Sequence, residues 1–145
     1  MTAKEYLEQS RVIRLEILWI NRQIEEIETS LGPHPIQLDD SGASKSNYHE
    51  DDMSERLSKV GDLYTELTDR KAKLILKNEE IHNAIATSGL KTSYQNVLNL
   101  RYLTINPRRP ISPLGWKSIG FRMGISAEAA RKMHIRALKE FSTKL

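Results

Sequence analysis

The basic side chains of the C-terminal segment have the clearest potential for chemistry, because few acidic groups oppose them. Residues 89–145 hold 11 Lys and Arg against two acidic residues, a net charge of +9. Residues 1–88 hold 11 Lys and Arg against 17 Asp and Glu, a net charge of −6. A concentration of cations in one segment favours a polyanionic partner such as nucleic acid. We therefore predict two modules, an acidic one over 1–88 and a basic one over 89–145.

Catalytic residue sets do not stand out in the sequence. The histidines are scattered, at His34, His49, His82 and His134, and they lack the HxxxH or HExxH spacing of metal ligands. There is no phosphate-binding Gly loop or Ser/His/Asp set, and the chain contains no cysteine. A cysteine-free chain forms no disulfides and fits a reducing compartment. We predict no enzyme activity, no cofactor and no metal site.

Two short helical patterns meet at a tight turn near the C-terminus. Trp116, Ile119 and Met123 give the first pattern its apolar side, and Gly124 permits the left-handed backbone of a helix exit. Ser126 is a typical N-cap for the second pattern. The inner side of that second pattern is predicted from its small and apolar residues: Ala130, Met133, Ala137, Leu138 and Phe141. The spacing predicts a helix-turn-helix, whose second helix projects its first turns into a major groove.

The segment before this motif is predicted to contain one short helix and a loop. Apolar residues recur at helical spacing over 93–103, with Ser93 as a plausible cap. Three prolines make 104–113 a loop. Ser112 and Pro113 then resemble the N-cap and first position of the following helix.

The segment 116–141, WKSIGFRMGISAEAARKMHIRALKEF, resembles region 4 of bacterial sigma factors without a gap. LNLRYL at 98–103 is similar to part of the preceding sigma helix. The whole chain, beginning MTAKEYL, resembles a family of small proteins from phages and mobile islands of Gram-positive bacteria, near the late-gene activators called RinA and ArpU. The matching sigma-like positions are Trp116, Ile119, Gly120, Met123, Gly124, Ile125, Ser126, Arg131, Arg136, Ala137 and Leu138.

This resemblance implies a DNA-binding transcription regulator and assigns residues to the interface. The Arg131 fork suits guanine O6 and N7, and Glu128 suits the amino group of cytosine. Lys132 and Arg136 suit phosphates, which give affinity more than specificity. Three departures are that Ala127 lacks a long polar side chain, that Ala130 replaces a branched apolar residue, and that the stretch 104–113 differs from the short linker expected in the family. The predicted DNA-binding residues are Ser126, Ala127, Glu128, Arg131, Lys132, Arg136, Arg108 and Arg109.

Alternatives stay open for several of these residues and for the function. Arg108 and Arg109 either contact DNA or only keep a proline-rich loop soluble, and Arg136 either contacts phosphate or another protein. The chain could instead be a DNA-packaging adaptor like a small terminase subunit. A third possibility is a sigma mimic that binds polymerase without reading DNA. Double-stranded DNA is the predicted partner, RNA polymerase and self-association are left open, and no membrane is expected.

The acidic module is predicted to contain two long helices. Thr2 and Glu5 form a capping box, and Gly32-Pro33 ends the first helix. A polar, Pro- and Gly-rich segment over 32–52 is predicted to be a flexible loop. The apolar stripe of the first helix consists of Tyr6, Ser10, Ile13, Ile17, Ile20, Ile24, Ile27 and Leu31, and that of the second of Met53, Leu57, Val60, Tyr64, Leu67, Lys71, Leu74, Asn78, Ile81 and Ile85.

These stripes favour an antiparallel hairpin, although two chains paired in parallel would show the same pattern. Lys71 and Asn78 either set the register or lie at the edge of the seam. The predicted fold is all-α, a long antiparallel hairpin followed by a sigma-region-4-like helix-turn-helix. MTAKEYLEQS lacks the apolar run of a signal peptide. We therefore expect the protein to be located in the cytoplasm of a host cell.

Overall fold

A computed structural model describes residues 1–31 and 50–145 of the chain, and this part is all-helical, without a strand. None of its helices combines the length and the apolar character that crossing a lipid bilayer requires. The elements in chain order are α1 (Ala3–Leu31), α2 (Glu50–Ala86), α3 (Thr92–Leu98), a π-helical turn (Asn99–Leu103), α4 (Trp116–Met123) and α5 (Ala127–Ser142). The predicted all-α class is therefore confirmed for the described residues.

The first compact unit combines Met1–Leu15 with Ala72–Leu145. The end of α2 and the start of α1 share one apolar core with α3, α4 and α5. The rings of Tyr6 and Phe141, whose centroids are 6.2 Å apart, connect α1 to α5. Arg14 donates to the carbonyl oxygens of Tyr102 and Leu103, which supplies partners to carbonyls at the end of the π-helical turn.

The second compact unit is Glu16–Lys71. Its core contains Ile20 and Ile24 of α1 packed with Leu63 and Leu67 of α2. Polar contacts join the two helices in reverse sequence order: Arg70 Nε lies 2.9 Å from a Glu16 carboxylate oxygen, and Tyr64 donates to Glu28 over 2.8 Å. The segments of this unit therefore run antiparallel.

The start of α1 follows the predicted capping box. The Thr2 backbone N–H donates to the Glu5 carboxylate over 2.6 Å, and the Glu5 N–H donates to the Thr2 hydroxyl over 3.2 Å. The hydrogen bond from the Thr2 backbone lowers the pKa of Glu5. Two of the free donors of the helix terminus are thereby satisfied.

Several expected features of the stripe in α2 were wrong. Met53, Leu57 and Tyr64 were placed in the seam but are exposed, as is Lys71. Leu63 is buried instead. The predicted stripe is nevertheless correct in part, because four of its members are buried: Val60, Leu67, Ile81 and Ile85.

Three predicted boundaries also need correction. α2 begins at Glu50, so the last positions of the predicted loop 32–52 are helical; positions 32–49 lie outside the described residues. α3 begins at Thr92 with Lys91 as N-cap, rather than with a Ser93 cap. α4 begins at Trp116 after Gly115, beyond Ser112 and Pro113.

The structure shows why the helix does not start at Ser112. The Ser112 N–H donates to the Arg109 carbonyl over 2.9 Å, and Asn106 Nδ2 donates to the Pro113 carbonyl over 3.4 Å. These bonds hold 109–113 as a turn.

The compact units divide the chain at 15/16 and 71/72, whereas the prediction placed one boundary after residue 88.

Candidate nucleic-acid interface

The turn between α4 and α5 is closed by two backbone hydrogen bonds. The Ile125 N–H donates to the Gly120 carbonyl over 2.9 Å, and the Gly124 N–H donates to the Phe121 carbonyl over 3.3 Å. Gly124 is left-handed, with φ of 71°. This is the pattern of a Schellman motif, which ends a helix abruptly. The entry of the chain into α5 is therefore fixed by the end of α4.

Close packing at this corner depends on Gly120. A Cβ atom at this position would lie 2.7 Å from the Ile125 carbonyl oxygen and 3.0 Å from backbone atoms of Ser126. Real Cβ atoms do not approach backbone that closely, so the absence of a side chain lets the turn fold back over α4. Gly120 thus permits the close contact between the turn and α4, and Ala130 in the first turn of α5 is fully buried.

Ser126 is the N-cap of α5, as predicted. Its hydroxyl oxygen accepts a hydrogen bond from the Ala129 N–H over 3.1 Å, and its backbone is extended, with ψ of 158°. The cap satisfies one of the free N–H groups at the helix start. The remaining donors and the helix dipole leave this end of α5 favourable for an anion.

Three predicted site residues are brought together on the exposed first turns of α5. Arg131 donates twice to the Glu128 carboxylate, over 2.7 Å from a terminal nitrogen and 3.3 Å from Nε. Lys132 Nζ lies 4.0 Å from the same carboxylate. The hydrogen bond from Arg131 lowers the pKa of Glu128, and its reciprocal effect raises the pKa of Arg131. The Glu128 carboxylate thus lies between two cationic side chains, and the three-residue cluster keeps a net positive charge.

The other predicted site residues are exposed but do not join this cluster. Ala127 occupies the first position of α5, and Arg136 lies further along the same helix. Arg108 and Arg109 are exposed in the segment between the π-helical turn and α4. Among the described contacts, no hydrogen bond or ion pair connects these two arginines to Glu128, Arg131 or Lys132.

Sequence reasoning missed an apolar residue on the same helix. Ile135 is 53% exposed, and it follows Arg131 by four positions and Lys132 by three, so it shares their side of α5. An exposed methyl-bearing side chain within a basic helix face suits contact with a thymine methyl group. The signal was available in the sequence, because Ile135 lies off the inner stripe of Ala130, Ala137 and Phe141.

His134 was also assigned no structural role from the sequence, and it lies in the core. Its Nε2 shares a 2.8 Å hydrogen bond with the Tyr102 hydroxyl, and its ring centroid is 4.8 Å from that of Trp116. Burial is the main cause that lowers the pKa of His134 to about 4, and burial raises the pKa of Tyr102 to about 12. A neutral histidine therefore connects the π-helical turn to α5.

Arg101 completes this support beneath the candidate interface. Its guanidinium carbon lies 4.2 Å from the centroid of the Trp116 ring, and a terminal nitrogen donates to the Leu114 carbonyl over 2.7 Å. The cation–π contact and the hydrogen bond connect the π-helical turn to the start of α4. Arg101 belongs to the positively charged segment 89–145, but its contacts stabilise the fold.

Comparison of the chain with protein-family models, curated proteins and solved structures finds no match. Within residues 1–31 and 50–145, no group of three or more His, Asp or Glu side chains is arranged to hold a metal ion. The candidate interface therefore rests on the residues of α4, the turn and α5.

Proposed function

We propose that this protein is a phage-type transcription regulator that binds promoter DNA through α5. The observation that carries the proposal is the exposed cluster of Glu128, Arg131 and Lys132 on the first turns of this helix. The proposed arrangement is a helical hairpin that carries a sigma-region-4-like helix-turn-helix. In this arrangement α5 enters the major groove with its N-terminal end first.

Charge and geometry both support α5 as the DNA-contacting helix. The segment 89–145 has a net charge of +9, so it is attracted to the phosphate backbone. Lys132 and Arg136 are exposed on α5, and among the described residues neither donates a hydrogen bond, although Lys132 lies 4.0 Å from the Glu128 carboxylate. These two side chains supply phosphate contacts. Arg131 supplies a base contact when its guanidinium exchanges the Glu128 carboxylate for a guanine as hydrogen-bond acceptor.

The direct test is duplex binding measured by fluorescence anisotropy, after selection of a preferred site from a random duplex library. Arg131→Ala should weaken binding to the selected site and relax its preference at one position, by about five- to a hundredfold for a bidentate base contact. Lys132→Ala should weaken selected and random duplexes alike, and should reduce the salt slope by about 1.

Lys73→Ala is the matched control, since Lys73 is an exposed lysine on α2, within the segment 1–88 whose net charge is negative. It should leave the affinity unchanged. Salt-insensitive binding, or equal binding by all four proteins, would refute the proposal. Contact with RNA polymerase stays an open alternative, which a separate binding experiment with core polymerase and nuclease-treated samples would test.

A further inference from the structure

A basic groove lies beside α4, outside the α5 cluster. Its volume is about 730 Å³, and it is bounded by the segment before α4 and by one side of α4 itself. Three exposed cations line it, Arg108, Lys117 and Arg122, and none of its nine lining residues is acidic. In the described part of the chain, no carboxylate pairs with these three side chains. This lining therefore favours an occupant that carries negative charge.

The same groove contains an apolar anchor point. Phe121 is 87% exposed, the highest exposure among the large apolar residues that the structure describes, and it lies one helical turn after Lys117 on α4. Pro107 and the buried Leu114 add apolar lining. This exposed phenylalanine, with the apolar lining beside it, presents apolar surface that a partner would bury favourably.

Hydrogen bonds hold the wall of this groove in place before any partner arrives. The Arg108 N–H donates to Asn106 Oδ1 over 3.0 Å, while Asn106 Nδ2 reaches the Pro113 carbonyl. The Leu114 carbonyl accepts from Arg101, as described above. A preorganised wall reduces the entropy lost on binding, which favours recognition of a short segment.

We infer that this groove binds an acidic protein segment that carries one large apolar side chain. The apolar side chain packs against Phe121 and Leu114, and flanking Asp or Glu side chains pair with Arg108, Lys117 and Arg122. A DNA duplex offers phosphates but little apolar surface to cover Phe121. Single strands are bound on successive aromatic rings, and Phe121 is the only aromatic residue among the nine that line the groove.

A displayed library of random twelve-residue peptides tests this inference on the full-length protein. Peptides selected on the unmodified chain should be acidic and should share one Leu, Phe or Trp. Titration of the enriched peptide by anisotropy should show that Phe121→Ala weakens binding about tenfold or more, as expected for an anchor residue. Lys117→Glu should also weaken binding, and added salt should weaken it further.

Two exposed positions outside the groove serve as matched controls. Ile105→Ala removes an apolar side chain that is 57% exposed, and Lys144→Glu reverses a charge near the C-terminus. Neither should change peptide affinity. Failure to enrich acidic peptides, or equal binding by Phe121→Ala, would overturn the inference.

The inference would also be overturned if a twelve-nucleotide oligothymidine bound more tightly than the enriched peptide and depended on Phe121, because the occupant would then be single-stranded nucleic acid. The inference is independent of DNA binding by α5, because Arg131→Ala should leave peptide affinity intact. The two proposals can therefore fail separately. Circular dichroism of each variant confirms that lost binding does not reflect lost helix.

Discussion

The carbonyl oxygen of Ile125 lies 2.7 Å from the position that a Cβ atom on Gly120 would occupy. The Ile125 N–H also donates to the Gly120 carbonyl, so the two residues are held together. Gly120→Ala should destabilise the protein by about 1–3 kcal/mol, the usual cost of forcing extra volume into a packed site. Urea unfolding followed by circular dichroism measures this change.

Gly61→Ala provides the matched control for that substitution. Gly61 lies within α2, and a Cβ there would meet no atom within 4 Å. Alanine is the better helix former, so this variant should gain about 0.5–1 kcal/mol. Equal effects of the two substitutions would show that helix propensity, rather than contact with Ile125, governs the corner.

Ser126 separates a structural role from a DNA-binding role. Ser126→Ala removes the acceptor for the Ala129 N–H and should cost about 1 kcal/mol of stability. Ser126→Asp retains a capping acceptor and should restore that stability, while its negative charge at the start of α5 repels phosphate. Thermal unfolding and duplex anisotropy should therefore rank the variants differently. Unchanged DNA affinity in Ser126→Asp would argue that phosphate does not approach this helix end.

Glu128 should limit non-specific binding. Its carboxylate holds Arg131 and places a negative charge where phosphates are expected to approach. Glu128→Ala should raise the affinity for random duplex several-fold and reduce the ratio of selected-site to random affinity. Glu140→Ala, an exposed acid near the end of α5, is the control. A fall in random-duplex affinity for Glu128→Ala would contradict this account.

His134 should make the stability depend on pH. Its pKa is about 4 in the folded protein, against about 6.5 for an unperturbed histidine. As the pH falls from about 6.5 toward 4, the unfolded chain takes up a proton that the folded chain does not, so the free energy of unfolding decreases. His134→Gln should flatten this dependence between pH 7 and pH 5, a range above most carboxyl titrations. Urea unfolding at both pH values measures the difference.

Local chemistry in the sequence predicted several parts of this structure directly. The capping box of Thr2 and Glu5, the left-handed Gly124 and the Ser126 cap each depend on residues within a few positions of one another. The all-α class followed from helical periodicity. Such features form from short-range geometry, and few distant contacts can override them.

Features that depend on distant packing were predicted less well. Met53, Leu57 and Tyr64 share the helical spacing of buried residues, yet they are exposed while Leu63 is buried. Likewise, the residues near Ser112 do not predict that Asn106 donates a hydrogen bond to the Pro113 carbonyl, or that α4 begins only after Gly115. The face of a helix that becomes buried depends on what packs against it.

The residue types of the candidate interface and their helical spacing were determined by the sequence alone. The +9 segment, the Gly120–Ser126 turn and the order of Glu128, Arg131 and Lys132 need no coordinates to recognise. Tertiary structure decided which of these groups meet. It paired Arg131 with Glu128, buried His134 against Tyr102, and left Phe121 exposed beside the basic groove. Those outcomes depend on side-chain directions and on contacts between separate elements, which periodicity along one chain does not specify.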